Sequence, residues 1–231
     1  SGIPAAAEEI VVARDIILAE LTRARLHIAH VSTAGSVELI RRAREKDISV
    51  TAEVTPHHLT LTEEKVTGYD TNAKVNPPLR TGKDIEALIQ GLKDGVLDAI
   101  ATDHAPHTLV DKLCEFDSAT FGISGLETAL GSLMILVHKS NLDLTTLVSK
   151  LTIEPARIIR ANDLGTLEVG APGDVTIFDP EAEWVVNPET FASKGKNTPL
   201  VGRSLKGKVM VTIVGGEIVH QDDAITVEEV K

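Results

Sequence analysis

Cysteine is nearly absent. Cys114 is the only one in 231 residues, so no disulfide can form within the chain, and a reducing cytoplasm is the expected compartment. Aromatics are scarce too. One Trp, one Tyr and four Phe leave a core to be built from Val, Ile, Leu and Ala. No apolar run approaches the roughly 18 residues of a membrane-spanning helix, and no signal-peptide pattern is visible. Positive charge is in deficit: 23 Lys and Arg against 34 Asp and Glu give a formal net charge of −11. That argues against nucleic acid and anionic membrane surfaces as partners. No Gly-rich phosphate loop follows any strand-like run, which disfavours a dinucleotide fold. There is no initiating Met, and Ser1-Gly2-Ile3-Pro4 runs at once into a helical pattern. That start reads as the middle of a longer chain, with a tag scar as the alternative for Ser1.

The length suits one large domain, or a medium domain with an appendage, and a sizeable core. Residues 4–25 pattern as a helix opened by Pro4, with Ile10, Val11, Ile16, Ile17, Leu18 and Leu21 as its buried stripe and Arg23 and Arg25 at its end. Leu26 to Val31 reads as a strand on which His30 and Ile28 share a face and His27 points the other way. Ser32 or Thr33 caps the next helix, Val37 to Lys46. A second strand, Ile48 to Val54, ends at Thr55-Pro56-His57-His58. A helix from Asp84 to Lys93 feeds a third strand over 96–102 that delivers Asp103.

Alternating strands and helices predict an α/β fold with parallel strands. Polar chemistry recurs at one end of each strand: His30, His57 with His58, then Asp103 with His107. This is the pattern of a (β/α)8 barrel or an open doubly wound sheet. Thr108 to Thr120 is long enough for a lid. Leu126 to His138 and Leu144 to Ile159 pattern as helices, the latter broken at Pro155. Near Asn162 the character changes to turns and short strands, with a hairpin signal at Gly215-Gly216. The chain therefore divides into an α/β part, 1–164, and a small β unit, 165–231.

Asp103 closes an apolar strand, and an unpaired buried carboxylate is costly, so it needs a partner or a metal. His30 reads as either a hydrogen-bonded core histidine or a ligand. If its strand neighbours that of Asp103, both reach one site, and imidazole with carboxylate suits zinc in a hydrolytic role. His107 is placed to meet a substrate, while His104 orders the loop. His57 and His58 read as packing or supporting residues. Asn76, before two prolines, is a substrate-amide partner or a plain turn asparagine. Arg80 reads as a surface charge. Cys114 has no triad around it.

His30-Val31-Ser32-Thr33, Thr51-Ala52-Glu53-Val54-Thr55-Pro56-His57-His58-Leu59, Lys74-Val75-Asn76-Pro77-Pro78-Leu79-Arg80 and Ala101-Thr102-Asp103-His104-Ala105-Pro106-His107 together resemble dihydroorotases of the amidohydrolase superfamily. Phe121 to Thr128 and Phe191 to Pro199 extend the resemblance over essentially the whole chain. The resemblance implies a (β/α)8 barrel with a small β-sandwich, of which this chain holds about strands 6–8 and most of the sandwich. It implies a zinc pair and the reversible opening of dihydroorotate to carbamoyl-aspartate in pyrimidine biosynthesis. By motif, His30 and Asp103 resemble metal ligands, and Asp103 also the general base and acid. Asn76, His107 and the backbone at Phe121 and Gly122 resemble substrate-binding groups. Residues 104–121 resemble the loop over the site.

The family's early His-x-His-x-Arg motif is absent, and no His-x-His occurs anywhere. Its further bridging acid or modified lysine and its fifth-strand histidine have no matching positions either. The resemblance thus implies a chain that is inactive alone, completed by a missing N-terminal half or another chain. Possible partners are a homodimer mate or aspartate transcarbamoylase. A hydantoinase, dihydropyrimidinase or allantoinase activity is the near alternative, and a non-catalytic subunit scaffolding aspartate transcarbamoylase is the other.

Overall fold

Short parallel strands form where apolar runs follow helices, in a computed structural model that describes residues 2–223. Ser1, and residues 224–231 at the end of the expected β unit, lie outside the described residues. Strands β1 (Leu26–Ile28), β2 (Val50–Val54) and β3 (Ala99–Ile100) make one sheet in that order, all parallel. In β2, Val50, Ala52 and Val54 are buried while Thr51 and Glu53 are only half-buried. The buried face packs under helices α2 (Ala34–Glu45) and α4 (Gly82–Lys93), where Ile40, Leu88, Leu92 and Leu97 are almost fully enclosed. The opposite face carries His27, Thr51 and Glu53. This division lets one sheet face supply stability and the other supply chemistry.

Local signals set the helix starts. Thr33 accepts from the Ser36 amide to cap α2, and Thr81 with Asp84 forms a reciprocal capping box on α4. Helix α1 (Ala5–Thr22) precedes β1, and the sequence expectation for it needs correction. Only Val12, Ile16 and Ala19 are buried, and Ile10, Val11, Ile17, Leu18 and Leu21 are exposed. The helix is apolar over more of its circumference than its neighbours α2 and β1 cover.

Three further expectations are revised. The strand ending at Val31 stops at Ile28, and His30 stands beyond it with φ +56°. That left-handed residue turns its ring to the face carrying His27, opposite to the side expected. The third strand shrinks to two residues, although Asp98 and Ala101 still donate to the Ala52 and Val54 carbonyls. Pro155 does not break a helix. It lies in the first turn of α8 (Ile153–Ile159), where its missing N–H costs nothing, after α7 (Leu144–Leu151) has ended at Thr152.

A short helix, α3 (Pro56–Thr60), buries both His57 and His58. Each nitrogen of His58 is used: Nε2 donates to the Pro77 carbonyl at 2.9 Å, and Nδ1 lies 2.8 Å from the Thr55 hydroxyl. Burial holds His58 at about 4, against the pull of the Pro77 carbonyl, and holds His57 well below its ordinary value. The unfolded chain therefore takes up protons below pH 6.5 that the fold refuses until about pH 4. Stability should fall as pH drops through that window, by roughly 3 kcal/mol from His58 alone. Urea titrations of the wild type and His58→Gln at pH 6.5 and 4 check this, and the variant should show the shallower fall.

After the loop helix α5 (Leu109–Lys112), helix α6 (Ala129–His138) carries the core toward a second sheet. That sheet is antiparallel, in the order β4 (Val175–Val185), β5 (Ser204–Val214) and β6 (Glu217–Gln221), with β5 and β6 forming the expected hairpin. Leu205 and Trp184 lie against Gly131 of α6, so the two sheets share one helix. Among the described residues, no helix is long and apolar enough to cross a membrane.

Candidate active site

The ends of β1, β2 and β3 bring His30, Glu53 and Asp103 together. His30 Nε2 lies 3.5 Å from Asp103 Oδ1, and His30 Nδ1 lies 2.9 Å from Glu53 Oε1. Glu53 Oε2 is 3.2 Å from His27 Nε2. His30 and Asp103 both hold left-handed backbone, at φ +56° and +47°. Such conformations cost a non-glycine residue of order 1–3 kcal/mol and gather at functional sites. The Glu53 carboxylate beside Nδ1 raises the His30 pKa against the effect of burial, with Asp103 adding to the rise. Burial raises Asp103, opposed by His30. Burial would raise Glu53 as well, but the two imidazoles of His27 and His30 beside it outweigh burial and hold it at about 2.

The pair suits a metal in donor type, an imidazole nitrogen beside a carboxylate oxygen. Zinc takes three or four protein ligands, and among the described residues no group of three His, Cys, Asp or Glu is arranged to hold an ion. His30 and Asp103 therefore fit as part of a ligand set.

His107 stands beyond Asp103, its Nε2–H donating to the Phe121 carbonyl at 2.8 Å. Gly122, at φ +141°, permits this approach, because a Cβ there would sit 2.7 Å from His107 Nε2. Gly195 does the same on the other side, where a Cβ would meet Pro106 Cβ at 2.4 Å. Asn76 makes no side-chain hydrogen bond to this cluster among the described residues. It is exposed on an open groove of about 440 Å3, shared with Val11, His27 and Ala29, and no side-chain bond ties it down among the described residues.

His104 orders the loop, as expected. Its Nδ1 accepts from the Leu126 amide, so the Nε2 proton points at Ser193 Oγ, 3.2 Å away. In that tautomer the ring donates to Ser193 and does not take its proton. Cys114 is exposed, and no triad forms around it among the described residues.

Besides Glu53, four residues hold the site together without having stood out in the sequence. Arg80, expected at the surface, is buried, donating to Ser32 Oγ at 3.1 Å and the Ile3 carbonyl at 2.5 Å and pairing with Glu8. Glu8 also accepts from the Ser32 and Thr33 amides, so α1 is clamped to the end of β1. Asn197 is buried among three segments. Its Oδ1 accepts from the His107 amide and Ser124 hydroxyl, and its Nδ2 donates to the Ala105 and Gly122 carbonyls, all at 2.8–3.1 Å.

The fourth is Lys112, which fastens the expected lid. Its ammonium donates to the Thr71 and Thr120 carbonyls at 3.0 and 2.6 Å, and Lys74 holds the Asp117 and Ala119 carbonyls at 2.9 and 2.6 Å. Lys112→Met keeps the stem and loses these bonds. Limited proteolysis between residues 113 and 118 should then quicken by roughly tenfold or more, since a hydrogen bond to a charged group is worth about 1.5–3 kcal/mol.

Comparison with known proteins places this geometry. The model of the amidohydrolase family matches residues 7–219. A dihydroorotase from Pelotomaculum thermopropionicum is 57% identical over 97% of this chain and 52% of its own length, and one from Syntrophus aciditrophicus is 54% identical over 96% and 52%. The chain thus spans about half the length of the curated relatives it matches. Among solved structures, the L-hydantoinase of Arthrobacter aurescens matches with a TM-score of 0.90 and 30% identity over 97% of this chain and 51% of that one. The dihydropyrimidinase of Brevibacillus agri matches at 0.87 and 27%, over 94% and 49%. The chain belongs to the amidohydrolase family.

Proposed function

We propose that this chain is the C-terminal part of a dihydroorotase, opening dihydroorotate reversibly to carbamoyl-aspartate in pyrimidine biosynthesis. The observation that carries the reading is the convergence of His30 and Asp103, both in left-handed backbone, at the ends of strands in one parallel sheet. The 52–57% identity to relatives named dihydroorotase favours this ring over those of the L-hydantoinase and the dihydropyrimidinase, at 30% and 27%.

In this reading β1 to β3 are the last strands of a (β/α)8 barrel. Residues 1–164 belong to that barrel and 165–231 to a β-sandwich. The free edge of β1 and the exposed apolar side of α1 support it, since both call for a covering neighbour. A segment or chain beyond these residues completes the site, and aspartate transcarbamoylase or a homodimer mate is a further partner. The setting is the cytoplasm.

His30 through Nε2 and Asp103 through its carboxylate would hold part of a zinc pair. When bound, zinc polarises the ring carbonyl and acidifies water. Asp103 moves the proton, taking it from the attacking water and returning it to the leaving ring nitrogen. His107 and Asn76 bind the substrate's carboxylate and amide, and the backbone at Phe121 and Gly122 lines its other side.

The test is ring opening by the complete protein with dihydroorotate, hydantoin, dihydrouracil and allantoin in parallel. Dihydroorotate should be preferred by at least about a hundredfold in kcat/KM, because a site built for a charged carboxylate rejects rings lacking one. Preference for another ring would replace this reading, and no turnover of any ring would favour a non-catalytic subunit. The isolated 231-residue chain should bind little zinc and show no turnover.

A further inference from the structure

We propose that Glu53 is the positioning residue that fixes His30 as a metal ligand, with His27 holding Glu53 in turn; this rests on the zinc reading above. Glu53 stands on the polar face of β2, and each of its oxygens is committed. Oε1 lies 2.9 Å from His30 Nδ1 and Oε2 lies 3.2 Å from His27 Nε2. Nδ1 of His30 is buried with no aligned hydrogen-bond partner, and the Glu53 carboxylate beside it is the acceptor that a small turn of the ring brings into line, so the His30 proton is assigned to Nδ1. The Nε2 lone pair is then the one turned toward Asp103, 3.5 Å away.

A ligating histidine needs this arrangement: a proton on the far nitrogen, an acceptor to hold it, and a ring that cannot swing. His27 supplies the outer support. Its Nδ1 lies 2.9 Å from Thr51 Oγ1, and Thr51 is its partner in the β1–β2 register. The chain His27–Glu53–His30 thus runs from two sheet positions to one ligand. Glu53 is not a free ligand itself, because both oxygens already face imidazoles. Its side chain is 16% exposed, so its charge depends on these two partners for compensation.

The test uses the complete protein, with zinc affinity measured by competition against a chromogenic chelator and the visible spectrum recorded after cobalt substitution. Glu53→Ala should lower zinc affinity by about 10–100-fold and shift the cobalt bands. Glu53→Gln keeps an acceptor oxygen for Nδ1 and should recover part of that loss. His30→Ala, run alongside, should lose the site. Wild-type affinity and spectrum in Glu53→Ala, beside a deficient His30→Ala, would overturn the proposal and leave the zinc reading standing. A wild type that takes no zinc, or a His30→Ala that binds normally, would overturn both. If Glu53→Ala does not fold, Glu53→Gln decides: weakened binding supports the role of Glu53, and unchanged binding removes it.

Discussion

Asp103→Asn in the complete protein, assayed with saturating zinc, lowers kcat for dihydroorotate opening by about 10²–10⁴-fold, the usual contribution of a positioned acid–base group. The substitution keeps size and shape and removes only the charge and the ability to take up a proton. Its structural cost should be small, because Asp103's near partner is His30 at 3.5 Å, longer than a hydrogen bond. The loss should appear in both directions of the reaction, since under the proposed function one carboxyl serves ring opening as base and then acid, and ring closure in reverse. Steady-state kinetics in both directions measure it. A variant within about tenfold of the wild type would remove Asp103 from proton transfer.

Asn197→Ala should cost about 2–4 kcal/mol of stability. Four hydrogen bonds vanish, each worth roughly 0.5–1.5 kcal/mol net, and buried groups are left unpaired. The side chain clips the loop after Asp103, the turn at Gly122 and the segment around Gly195 into one unit. Losing it frees the His107 amide and the Gly122 carbonyl together, so the KM for dihydroorotate should rise more than kcat falls. Asn197→Asp keeps the two acceptor bonds but turns a buried carboxylate oxygen onto the Ala105 and Gly122 carbonyls, and should destabilise at least as much as the Ala variant. Urea unfolding with steady-state kinetics separates the effects. A destabilisation below about 0.5 kcal/mol would mean these contacts are made good by solvent.

The strands and their order were legible because each apolar run follows a helix and ends in polar residues. That Asp103 and His30 follow the strand ends was legible for the same reason. The geometry joining them was not, since no local pattern announces that His30 leaves the strand in a left-handed turn. Glu53 did leave a signal: Thr51 and Glu53 alternate with Val50, Ala52 and Val54, a polar face on a strand whose other face is buried. Arg80 left none, because its partner Glu8 lies far back in the chain. Asn197 joins segments that only the folded chain brings together. The buried side of α1 was overestimated because periodicity shows which residues are apolar, not which neighbours exist to cover them.

Where zinc binds decides the role of His30 and Asp103 most directly. Anomalous scattering at the zinc edge, from crystals of the complete protein, should place a metal about 2.0–2.2 Å from His30 Nε2 and from an Asp103 oxygen. Stoichiometric zinc bound with neither residue in its coordination sphere would contradict it.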